Sequence, residues 1–113
     1  MNGYINLWDE TVNKLKEHGK EPKDIQFVCG NDFGLVNFED LAKRTDYDSG
    51  YGGQMIAEDL KVVGTDWWLE RHEYDGAEWW EYKELPKKPE VFEVMETLEG
   101  IWDTLKEIKE GDN

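Results

Sequence analysis

In its 113 residues the chain sets 27 Asp and Glu against 13 Lys and Arg, a formal net charge of −14. That length suits a single domain over residues 1–113 and leaves no room for two. The charge excludes nucleic-acid binding through a basic surface and docking on an anionic membrane face, and the one cysteine excludes an internal disulfide framework.

Six Trp, five Tyr and four Phe argue for a folded chain, because disordered segments are poor in aromatics. Each large ring buries roughly 150–250 Å², so a compact aromatic core under an acidic surface is expected. No apolar run reaches the ~18 residues of a membrane span. The N-terminus lacks the basic start and apolar stretch of a signal peptide, so a cytoplasmic location is expected.

Residues 6–18 read as a helix, with Asn6 as N-cap and Asp9 at the third helical position. Trp8, Val12 and Leu15 form its apolar stripe, and Lys14, Lys16 and His18 suit its C-terminal dipole. Gly19 supplies a left-handed stop and Pro22 lies beyond it. Residues 25–29 read as a strand ending at Cys29, bounded by turn-forming residues on both sides. Asn37 starts a short helix through Arg44, with Phe38, Leu41 and Ala42 inward. Residues 46–53 are a loop rich in Asp and Gly, and 54–59 fit a helical turn or a strand lead-in equally.

Residues 60–64, 67–73 and 77–84 read as a three-stranded antiparallel meander, turning at Gly64-Thr65-Asp66 and at Asp75-Gly76. A two-residue second turn sets Glu73 against Glu78 and Glu70 against Glu81, and like charges directly opposite destabilise a ladder. A three-residue turn, Tyr74-Asp75-Gly76, removes both conflicts. It pairs His72 with Glu78, Arg71 with Trp79, Trp68 with Tyr82 and Trp67 with Lys83, and is therefore the expected register. Pro86 to Pro89 form a stiff connector. Residues 90–109 are the strongest helical pattern: Val91, Val94, Met95, Leu98, Ile101, Trp102, Leu105 and Ile108 follow three- and four-residue steps. Glu93, Glu96, Glu99, Asp103 and Glu107 lie mostly off that stripe. The expected fold is α+β: a meander of three to four strands packed with an N-terminal and a long C-terminal helix.

Catalytic and metal motifs are weak. His18 suits a helix end, His72 an ion pair with Glu78, and Cys29 a small apolar position. Ser49 is the only serine and lies in no nucleophile elbow. Asp46-x-Asp48-x-Gly50 begins like a calcium loop, but Tyr51 and Ala57 occupy the places of its glycine and glutamate. Gly50-Tyr51-Gly52-Gly53 lacks the Lys-Ser/Thr of a phosphate loop. No cofactor, metal or catalytic residue is expected. A third reading is an enzyme with a two-carboxylate site at Glu70 and Glu81.

The adjacent pairs Trp67-Trp68 and Trp79-Trp80 must split between the two faces of a sheet. The expected register puts Trp68, Trp80 and Tyr82 in the core and Trp67, Leu69 and Trp79 opposite, beside Arg71 and Lys83. Two pieces, Val63-Gly64-x-Asp66-Trp67-Trp68-Leu69-x-Arg71 and Tyr74-Asp75-Gly76-x-Glu78-Trp79-Trp80, resemble a segment of small acidic proteins of Gram-positive gut bacteria and their prophages and mobile elements. The resemblance implies a mobile-element setting and carries over no functional residue. The expected function is a non-enzymatic protein-interaction or regulatory module. Its acids, Glu93, Glu96, Glu99, Asp103 and Glu107, would mask a basic nucleic-acid-binding surface of a protein partner. The alternative is an aromatic platform of Trp67, Trp79 and Arg71 for a small ligand or carbohydrate. The expected state is a monomer, or a weak homodimer through the C-terminal helix.

Overall fold

A computed structural model describes residues 4–111. The elements in chain order are β1 (Tyr4–Asn6), α1 (Leu7–Glu17), a 3-10 turn (Pro22–Asp24), β2 (Phe27–Cys29), β3 (Gly34–Leu35), α2 (Phe38–Lys43), β4 (Asp46–Asp48), β5 (Lys61–Val63), β6 (Trp67–Tyr74), β7 (Ala77–Glu84) and α3 (Leu105–Gly111). The architecture is α+β with antiparallel pairing throughout. β1 and β4 form a two-stranded ribbon, and a five-stranded sheet runs in the order β3-β2-β5-β6-β7. The sheet is thus larger than the expected meander of three to four strands, because β2 pairs with β5 and brings β3 with it.

α1 starts where Asn6 accepts a bond from the Asp9 amide and stops at Gly19, whose φ is +71°. Its buried stripe is Leu7, Thr11 and Leu15, one residue before the expected Trp8 and Val12. α2 buries Phe38 and Ala42, while Leu41 is exposed.

The β6–β7 hairpin closes in two residues, Asp75 and Gly76, both in the left-handed region at φ 51° and 86°. That turn matches the right-handed twist of the flanking strands. It sets Glu73 opposite Glu78, Glu70 opposite Glu81, Arg71 opposite Trp80 and His72 opposite Trp79. This is the register the like-charge test rejected. The test fails because each acid has another partner. Glu78 meets Arg71, Glu73 accepts the Gly76 amide, Glu70 takes the Trp68 indole and His72, and Glu81 takes the Trp79 indole.

The slip turns β6 over, while Trp80 and Tyr82 of β7 stay inward as expected. Trp67, Leu69 and Arg71 point inward with Glu78, Trp80 and Tyr82; Trp68, Glu70, His72, Trp79 and Glu81 line the outer face. The core cluster is drawn from the sheet's inner face, α1, α2 and β4, with Leu15, Val62, Leu69 and Trp80 fully buried. Burying each such side chain is worth about 1.5–3 kcal/mol.

The long helix over 90–109 is not formed; only α3 is helical there. Most of its stripe is uncovered among the described residues: Val94, Ile101 and Trp102 are 82%, 83% and 97% exposed. Without burial the segment depends on intrinsic propensity, which Gly100 and the β-branched Val91, Val94, Thr97, Ile101 and Thr104 lower. Trp102 turns left-handed at φ 70° and the Asp103 amide bonds back to Gly100. Ile108 is buried, yet against Gly100 rather than in the main core.

Candidate functional site

An arginine on the inner face of β6 needs counter-charges, since a buried lone guanidinium is prohibitively costly. The Arg71 side chain is fully buried, and Nη2 donates to Glu78 Oε2 at 2.8 Å and to the Tyr47 hydroxyl at 2.7 Å. Nη1 reaches both oxygens of Glu10 at 3.3 Å. Tyr47 donates to Glu10 Oε1 at 2.6 Å, and the guanidinium lies 4.7 Å from the Trp80 ring centroid. Glu78 also accepts the amides of Met55 and Ile56, which fixes the 54–59 segment as neither helix nor strand. Burial opposes the charge on Arg71, but Glu78, Glu10 and Tyr47 outweigh it and raise its pKa. Burial and the bond to Glu10 push Tyr47 up as well. The Arg71 Nε–H is the one buried side-chain donor without an acceptor among the described residues. This cluster ties α1, β4, β6 and β7 together, and two carboxylates against one guanidinium leave an excess negative charge.

Glu10 stands at its boundary. Its side chain is 15% exposed and forms part of the wall of a cleft of about 590 Å³ between β1, α1 and the β7 stretch Trp79–Trp80. Asp9, Glu10, Asn13, Lys14 and Glu17 of α1 line it. Lys14 is bound to Glu17 at 2.9 Å, so the wall presents carboxylates in excess. The arrangement offers fixed negative charge to a cation and has no Ser, Cys or His among its lining residues.

The residues expected to bind are not brought together. Trp67 is 3% exposed in the core and Arg71 belongs to the buried cluster; only Trp79 faces outward. The one-residue register slip is the reason. Trp68 now shares that face with Trp79. The two positions lie four residues apart along the hairpin, roughly 13 Å, and each indole N–H is bound to an acid on its own strand. Glu93, Glu96, Glu99 and Asp103 lie outside any helix, and Glu107 alone lies in α3, so they share no helical face. His72 pairs with Glu70 at 2.7 Å rather than with Glu78, and His18 stacks on Tyr82 at 3.9 Å. Asp46 and Asp48 form β4, where Asp46 accepts from Asn6 and Asp48 from the Gly50 amide. Among the described residues no group of three His, Cys, Asp or Glu is placed to hold a metal ion, and no helix is long and apolar enough to cross a membrane.

Glu10, Tyr47 and the cleft were not singled out in the sequence. The available signal was Arg71 itself, the one charge in an alternating row Trp67-Leu69-Arg71, which in the correct register demands a buried carboxylate. No family model, no curated protein and no solved structure matches this chain.

Proposed function

We propose that the chain is a non-enzymatic interaction module that engages a basic surface of another protein, of the kind that otherwise contacts phosphates. The observation that carries this reading is the carboxylate-lined cleft beside β7, in which Glu10 is held in place by Tyr47 and Arg71. A pre-positioned carboxylate loses little freedom when a Lys or Arg docks on it, and the −14 field speeds encounter with a cation. The acids at 93, 96, 99, 103 and 107 add to that field as scattered charges rather than as one face.

The test is calorimetric titration with a Lys-rich DNA-binding peptide at rising ionic strength, with a DNA duplex as competitor. Binding that excludes the duplex is expected at low salt. It should fall steeply as the Debye length shrinks from about 30 Å at 0.01 M to about 10 Å at 0.1 M. Asp9→Lys with Glu17→Lys should remove most of it, since both side chains stand on the outer wall of α1 and leave the core intact. Undiminished binding by that double variant refutes the cleft as the site, and no binding at low salt refutes the reading.

A further inference from the structure

β7 is the last strand of the sheet, and its far side is only partly covered. The Glu78 amide donates outward to Ser49, whereas the Leu85 amide donates to Asp66 on the β6 side. Peptide groups alternate direction along an antiparallel strand, so those of Trp80 and Tyr82 point outward like Glu78. Among the described residues no backbone group bonds to them. α1 runs alongside, fixed by the Trp80 indole bond to Thr11 at 2.9 Å and by the stack of His18 on Tyr82. Its carboxylates therefore overlook a free sheet edge rather than a flat surface.

We infer that the cleft takes an extended basic segment of a partner protein as a sixth strand on β7, a mode that rests on the acidic-module reading above. The free edge from Trp80 to Glu84 is five residues, roughly 16 Å, enough for a short peptide ladder. Side chains of an added strand alternate between faces. One set lies on the α1 side, near Glu10, Asn13 and Glu17, and the other lies beside Trp79 and Glu81 on the outer side. Lys or Arg at every second position fits the first set. A second copy of this chain does not suit the edge, because β7 carries Glu78, Glu81 and Glu84 and each copy brings −14.

The experiment compares two heptapeptides of equal charge, one alternating Lys and Thr, the other with four Lys followed by three Thr. Strand addition predicts that the alternating peptide binds about tenfold more tightly. It also predicts that bound peptide slows hydrogen exchange at the Trp80 and Tyr82 amides. Glu84→Pro, at an exposed position whose N–H points outward by the same alternation, removes one edge donor, which an edge strand tolerates, and should narrow the gap between the alternating and the block peptide. The exchange measurement on the unaltered protein serves if that variant does not fold. Equal affinity of the two peptides with unchanged exchange overturns strand addition while leaving charge-based capture standing. No binding of either at low salt overturns both readings.

Discussion

Tyr47 stands where burial and charge meet. Its hydroxyl donates to Glu10 and accepts from Arg71, and its ring is part of the core. Burial is the first cause that holds its proton on, and the Glu10 carboxylate is the second. A tyrosine whose folded pKa lies above the unfolded value of about 10 contributes stability that is fully present below pH 10. Above that, the unfolded chain releases the proton and the folded one does not, so stability falls as pH rises. Tyr47→Phe removes the hydroxyl and costs about 1–3 kcal/mol at neutral pH, because Glu10 and Arg71 each lose a partner. Its stability should decline less steeply above pH 10, so that the two proteins converge. Urea unfolding at pH 7, 9 and 11 reads the difference. Tyr82, pushed up to about 12 by burial and by Glu84, contributes equally to both proteins and cancels. A gap that stays constant or widens with pH contradicts this role for Tyr47.

The β5–β6 turn shows what an element demands of one residue. A Cβ on Gly64 would lie 2.0 Å from Trp67 Cε2, and Trp67 is itself buried among core residues. Gly64→Ala should therefore displace Trp67 and cost about 1–3 kcal/mol through overpacking. Gly53→Ala, whose Cβ would have only Tyr51 at 4.0 Å, should leave the unfolding midpoint unchanged. Equal midpoints for the two variants would show that Trp67 does not pack as described. This hairpin region was legible in the sequence to the level of strands and turn positions, because alternation and Gly-containing turns are local signals. Its register was not. A pairing penalty between Glu73 and Glu78 counts only contacts across the ladder, and the buried Arg71 that neutralises Glu78 comes from the same register that the penalty disfavours. β1 and β3, of three and two residues, are too short to show a period at all. The cleft was equally illegible, since it forms between the adjoining β1 and α1 on one side and β7, far along the chain, on the other.

At the scale of the molecule the chain is elongated. Its Cα radius of gyration is 18.6 Å and its extents are 57 × 31 × 27 Å, against roughly 13 Å for a compact chain of this length. The main core is drawn from residues 7–82, and the bonds that organise the chain beyond Pro89 are internal to that stretch, such as Lys109 to Val94 and Lys109 to Glu93. The amphipathic period over 90–109 was plain in the sequence. A period states which residues could share a face, and only a partner surface makes them do so. Ending the chain after Leu85 should therefore leave the sheet and its cleft intact. The unfolding free energy in urea should change by less than about 0.5 kcal/mol, and small-angle scattering should report a radius of about 12 Å. The shortened chain should also keep its salt-dependent capture of the Lys-rich peptide, since the cleft acids all precede residue 18. A large loss of stability would mean that Val91, Leu98 and Trp102 cover part of the core. Loss of capture with stability retained would instead move the binding surface onto the C-terminal acids.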